Sequence, residues 1–256
     1  MEGIHERRVA APSVRSPILV CGLPGSGYVG KLAADHLVES FKGTLVQEFQ
    51  SGSFPPHANV GETGVAVAIR GELHHCGTGQ SNDLLVFTAD AQPTTSEGEY
   101  RLCESVLRAA KEMGATSVFS LAAYITGGFT AEQRVFGAAT TAAGLGRLTE
   151  NGIRAMREGG ISGMNGVMVA MAGLVGMDGA CLLGETSGYL VDPVASQAVL
   201  EALSRVTGLQ FDLRALKDRA VEAKQVMGQI QSMTEQGEDE QAARGANRTG
   251  QPGYIG

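Results

Sequence analysis

Short apolar runs that alternate with helical segments constrain this chain more than any other feature. Asp83-Leu-Leu-Val-Phe-Thr88 is a continuous apolar run, the pattern of a strand covered on both faces. Comparable runs occupy residues 17–21, 45–49, 117–121, 135–140 and 180–183. Between them, residues 28–41, 97–113, 141–151, 163–175 and 193–207 read as helices, and 212–233 as a last, polar one. Residues 65–69 and 72–76 flank Gly71 and read as a hairpin. Such alternation predicts an α/β domain with a mostly parallel central sheet. Residues 1–15 read as a loose leader and 16–233 as one domain. Residues 234–256 carry too few apolar groups to order themselves, yet end in Tyr254-Ile255-Gly256.

Helix ends are signalled by chemistry. Ser96 with Glu99 has the spacing of a capping box. Gly114 suits the position just past a helix. Asp192 before Pro193 suits an N-cap followed by a first-turn proline.

The turn from the first buried strand into its helix is Gly22-Leu-Pro-Gly-Ser-Gly-Tyr-Val-Gly-Lys31. From Gly25 it fits the Gly-x-x-x-x-Gly-Lys opening of a nucleotide phosphate loop. The next residue of that motif carries a hydroxyl for magnesium, and here it is Leu32. Two readings stand: an anion cradle without nucleotide hydrolysis, or a tight turn whose glycines serve geometry alone. The cradle would use Gly25, Ser26, Gly27 and Lys31, with Asn165 and Glu185 as further ligand contacts.

Ligands of open α/β sheets bind beyond the carboxyl ends of the strands. That places Asp90, Gln92, Glu185, Thr186 and Asp192 at such a site. Glu185 and Asp192 could form an acid pair, although capping is the favoured role for Asp192. His57, His74 and His75 lack metal-ligand spacing, and no Ser sits in a nucleophile elbow. No catalytic residue, metal or cofactor is expected.

With 27 acidic and 20 basic residues, the net charge of −7 argues against a nucleic-acid-coating surface. Cys21, Cys76, Cys103 and Cys181 form no Cys-x-x-Cys pair and read as buried thiols of a reducing, cytoplasmic protein. Residues 1–8 have no signal-peptide character, and the longest apolar stretch, 167–177, is well short of the ~20 residues of a membrane span.

Over roughly residues 17–225 the chain resembles the archaeal branch of the proteasome assembly chaperone family. The ordered motifs that carry this are Gly22–Lys31, Phe54-Pro-Pro56, Asp90-Ala-Gln-Pro93, Tyr124-Ile-Thr-Gly127 and Arg134-Val-Phe-Gly137. Gly163-Met-Asn-Gly166, Leu183-Gly-Glu-Thr186 and Val191-Asp-Pro193 continue the series. The resemblance implies an α/β/α sandwich similar to purine nucleoside phosphorylases, assembled as a homo-oligomer. It also implies a non-catalytic role, binding proteasome α subunits. Members of this group are sometimes labelled ATP-grasp-related, but this chain has no ATP-grasp signature. A family tail of hydrophobic–Tyr–any residue docks between α subunits; here Tyr254 is shifted one place and Gly253 replaces the hydrophobic residue. The expectation is that Tyr254, Ile255 and Gly256 contact the α ring. The alternative is a nucleotide- or nucleoside-binding enzyme on the same scaffold.

Overall fold

The runs read as strands buried on both faces occupy the middle of one sheet. A computed structural model describes residues 3–128 and 133–223. In chain order its first half comprises β1 (Ile4–Arg8), β2 (Ile18–Gly22), α1 (Val29–Ser40), β3 (Thr44–Ser51), β4 (Ala58–Val60), β5 (Ala66–Ala68), β6 (Gly71–Cys76) and β7 (Leu84–Ala89). There follow α2 (Ser96–Glu112), β8 (Ser117–Ile125), β9 (Val135–Ala139), α3 (Ala142–Glu150), β10 (Arg154–Ala155), α4 (Gly163–Leu174), β11 (Asp178–Thr186) and α5 (Pro193–Thr207). Residues 214–223 are also helical. The expected tail lies outside the described residues.

The main sheet runs β1-β3-β6-β7-β2-β8-β11-β9-β10. Its centre, β7-β2-β8-β11, is parallel throughout. The wing β1-β3-β6-β7 is antiparallel, and so is the β11–β9 pair. The sheet is therefore mixed rather than mostly parallel. Apolar periodicity reports burial and is silent on strand direction.

Helices cover both faces. Alternate residues of the central strands send Leu19, Cys21, Leu85, Phe87 and Val118 into a core shared with Leu102, Val106, Met164 and Met168 of α2 and α4. Their neighbours Ile18, Val20, Leu84, Val86 and Leu121 pack with Ala33 and Leu37 of α1 and Val199 and Leu203 of α5. Each fully buried Leu or Phe stabilises the fold by roughly 1.5–3 kcal/mol over its exposed state.

Three local expectations are corrected. Residues 4–8 are an edge strand, antiparallel to β3, rather than loose leader. Their sequence, Ile-His-Glu-Arg-Arg, has no apolar alternation to announce them; ion pairs from Arg7 to Glu48 and Glu6 to Arg108 fasten them instead. The hairpin does not form, because β5 pairs with β4 in a separate ribbon while β6 joins the main sheet. A Cβ at Gly71 would lie 2.8 Å from the Phe87 ring, so this glycine admits a packed aromatic instead of making a turn. The N-cap of α2 is Thr95, which accepts from Gly98 N at 3.1 Å, so Ser96 and Glu99 form no capping box.

Candidate functional site

The Gly-rich turn owes its glycines to close backbone packing. A Cβ on Gly30 would fall 2.1 Å from the Leu121 carbonyl oxygen, and one on Gly22 would fall 2.1 Å from that of Gly30. The start of α1 thus lies directly on β2 and β8. Gly27 and Tyr28 both adopt left-handed backbone, at φ 62° and 53°. Few non-glycine residues tolerate that conformation, so tertiary contacts must hold Tyr28 there. One such contact is Asp192 N donating to Gly27 O at 2.8 Å. Ser196 Oγ, donating to Val29 O at 3.0 Å, ties α5 to the same turn.

Beside this turn, at the carboxyl ends of β2, β8 and β11, lies a cavity of about 510 Å³. Gly25 and Ser26 form one wall, and Ser162, Gly163 and Asn165 at the start of α4 form the opposite one. Gln92 bridges them: its Nε2 donates to Pro24 O at 2.6 Å, and its Oε1 accepts from Met164 N at 2.8 Å. The floor is apolar, from Leu23, Ala122 and Leu183. Asn165 is only 6% exposed, and among the described residues its Oδ1 has no hydrogen-bond partner.

The sequence-derived site residues therefore divide. Gly25, Ser26 and Asn165 share the cavity. Gly27 is buried against Thr186 and Asp192. Lys31 Nζ pairs with Asp35 at 2.7 Å along α1 and does not line the cavity. Glu185 is fully buried in a fork from Arg134, whose Nε donates to Oε2 at 2.5 Å and whose Nη2 donates to Oε1. The Arg134 hydrogen bonds hold the Glu185 carboxyl below its ordinary range. Asp192 accepts from Ala195 N at 2.9 Å as the N-cap of α5. The two acids are thus engaged separately and do not pair. His74 and His75 also part company, toward Glu72 and Asp83 respectively. Among the described residues no His, Cys, Asp and Glu group has metal-binding proximity.

Sequence reasoning missed the role of Gln92, the Arg134–Glu185 fork and an exposed apolar patch. Arg134 meets Glu185 only through the antiparallel register of β9 on β11, which no local pattern encodes. The patch comprises Tyr28, Ile125, Tyr189, Leu190 and Val191, with Tyr189 77% exposed. Gly188 packs near Ile125 and Ser26, and Asp192 bonds Gly27, so these segments adjoin one another beside the cavity. Contiguous exposed apolar surface marks interaction sites.

Residues 19–231 match the PAC2 family. The chain belongs to the PAC2 family. Among solved structures, this PAC2 chain is similar to Pyrococcus furiosus PbaB, described as an archaeal proteasome activator, with a TM-score of 0.84 and 30% identity. That likeness covers 90% of this chain and 100% of the other. P. furiosus PbaA, described as an archaeal homolog of proteasome-assembly chaperone, aligns with a TM-score of 0.74 and 27% identity over 97% and 98% of the two chains. An uncharacterized Methanocaldococcus jannaschii protein is 34% identical over 224 residues, 87% of this chain and 86% of that one. The expected membership of the archaeal proteasome assembly chaperone group therefore holds. No described helix is long and apolar enough to cross a membrane.

Proposed function

We propose that this PAC2 protein is a cytoplasmic binding module for proteasome α subunits, acting in assembly or activation of the proteasome without chemistry of its own. The observation that carries this reading is the end-to-end likeness to an archaeal proteasome activator at 30% identity. The apolar patch beside Tyr28 and Tyr189 supports it, because it offers a macromolecular partner or a second copy a surface to cover. The engagement of Glu185 by Arg134 and of Asp192 by a helix end weighs against the enzymatic alternative. The phosphorylase-like comparison belongs to the same reading, as a sandwich scaffold with an end-on binding surface in place of a reaction centre. Self-association and docking of Tyr254, Ile255 and Gly256 onto the α ring complete the proposal.

Co-purification with proteasome α subunits tests it, using the full chain, a variant lacking Tyr254 to Gly256, and Tyr189→Ser. The full chain is expected to retain α subunits. Loss on tail deletion assigns the contact to the tail, and loss in Tyr189→Ser assigns it to the patch. Failure of the full chain to retain α subunits overturns the proposal.

A further inference from the structure

We infer that the outer face of α4 is a self-association surface, on which α4 of a second copy of this chain packs antiparallel about a two-fold axis. The inference rests on the self-association in the function proposed above and names the surface that carries it.

The composition of α4 sets it apart. Among the described helices it alone carries no charged side chain. Met164, Met168 and Ala172 turn one side of it into the core. The opposite side is apolar as well: Ala170 is exposed, Leu174 is 85% exposed, and Val167 and Met171 are half-buried. A helix that is apolar all round is ordinarily buried all round. Here, among the described residues, its outer side stands uncovered. Val167, Ala170, Met171 and Leu174 follow i, i+3, i+4, i+7 spacing, so they line up as one stripe. That spacing is the pattern of a seam between helices, where side chains of one helix enter the grooves of the other.

The stripe suits a second copy because it matches itself. With a net charge of −7, contacts between copies tend to bring like charges together. A stripe without charge avoids that repulsion, and a two-fold contact repeats the same residues on both sides. A partner recognised by its charge would find no complementary group on α4. The neighbouring helix sets the orientation. α2 lies beside α4 and runs the same way: Cys103 Sγ meets Met164 O near one end, and Lys111 Nζ donates to Val175 O at 2.7 Å at the other. α2 carries Glu97 and Glu99 in its first turn and Lys111 in its last. Antiparallel pairing opposes the helix dipoles and brings the acidic end of each copy toward the basic end of the other. The axis then passes near Ala170. Twelve residues of helix span only about 18 Å. Stable interfaces bury roughly 800 Å² per partner, so pairing along so short a seam is expected to be reversible and concentration-dependent.

Sedimentation velocity of the full chain at increasing concentration tests this, together with Leu174→Glu, Ala170→Cys and Val221→Cys. Leu174 and Ala170 are exposed, so both variants are expected to fold, and circular dichroism checks that. The wild-type chain is expected to shift to a larger species as concentration rises. Leu174→Glu is expected to dissociate at least about tenfold more readily, because the seam would have to bury an unpaired charge. The native cysteines are buried, which leaves an introduced thiol as the exposed one. Under mild oxidation Ala170→Cys is expected to form cross-linked dimers at least about tenfold faster than Val221→Cys, since pairing raises the local thiol concentration. Val221 is exposed on a helix that packs on the opposite face of the sheet. A wild-type chain that stays monomeric at every concentration overturns the inference together with self-association. An oligomer that Leu174→Glu leaves intact, or equal cross-linking of the two cysteine variants, overturns the inference alone and assigns self-association to another surface.

Discussion

The two ends of the parallel strands treat their polar groups in opposite ways. At the amino end of β7, Asp83 accepts from Arg15 N at 2.9 Å and from Thr78 N, and meets His75 Nε2 at 3.0 Å. Around it, Asn82 donates to Ser16 O and Gln80 to Gln210 O. Burial raises the Asp83 pKa, but the hydrogen bonds from Arg15, His75 and Thr78 outweigh it and hold the carboxyl below its ordinary range. At the carboxyl end, Asn165 is buried with no partner for its Oδ1 among the described residues, a cavity opens beside it, and large apolar side chains face solvent. Native proteins satisfy nearly all buried polar groups, so unsatisfied ones point to sites that serve something other than stability. The amino end of β7 ties its polar groups down, and the carboxyl end keeps an unpartnered one beside the larger of two cavities, about 510 Å³ against about 200 Å³ at the starts of β2, β8 and β11.

Removing single groups can break that comparison. The largest effect is expected for Arg134→Ala, which strands the fully buried Glu185 carboxylate among the carboxyl-end residues. Loss of one partner of a buried ion pair typically lowers stability by about 3–5 kcal/mol. In the wild-type chain the Glu185 contribution is present above its unfolded pKa and is lost as pH falls through its depressed folded value. In the variant the sign reverses, because an unpaired buried carboxylate gains stability as it takes up a proton. Urea denaturation at pH 7 and pH 5 is therefore expected to show the variant's deficit shrinking at the lower pH. A constant deficit would mean that the pair does not act through charge.

Asp83→Ala is expected to lower stability by about 2–3 kcal/mol, since several donors lose a charged acceptor together. Asn165→Ala, although at least as buried, is expected to change stability by less than about 1 kcal/mol, because among the described residues Oδ1 has no hydrogen bond to lose. Equal losses in these two variants, measured by the same denaturation assay, would erase the contrast between the ends. The smallest effect concerns His74, whose pKa burial lowers. Its neutral form is the folded one, so stability is expected to decline slightly as pH falls below about 6.5 and to be flat above it. His74→Gln should remove that slope in a wild-type-minus-variant comparison.

The sequence showed the framework well where burial and termini have local signatures. The run Asp83–Thr88 became a central strand, Gly114 stands just beyond α2 with φ 93°, and Asp192-Pro193 caps α5 as expected. All four cysteines are buried and free, and burial pushes the Cys76 and Cys181 thiols up to about 12. What stayed hidden depends on long-range register. Strand direction in β9, the partner of Glu185 and the turning of Lys31 toward Asp35 are decided by neighbours distant in sequence or by rotamer choice. The cavity was half legible: Gly25, Ser26 and Asn165 carry signals, and Gln92 could be placed at the strand ends without its bridging role.

The edge strand β1 carries a consequence for how copies of this chain can meet. Among the described residues its outer side has no strand neighbour, and its sequence Ile-His-Glu-Arg-Arg lines that border with charge. At the opposite border β10 is only two residues long. Charged or very short borders resist recruiting a further strand. Among the described residues both borders of the sheet are thus of a kind that disfavours growth by strand addition into fibres or continuous sheets. Contacts between molecules are directed instead to helical faces and to the open end of the sandwich.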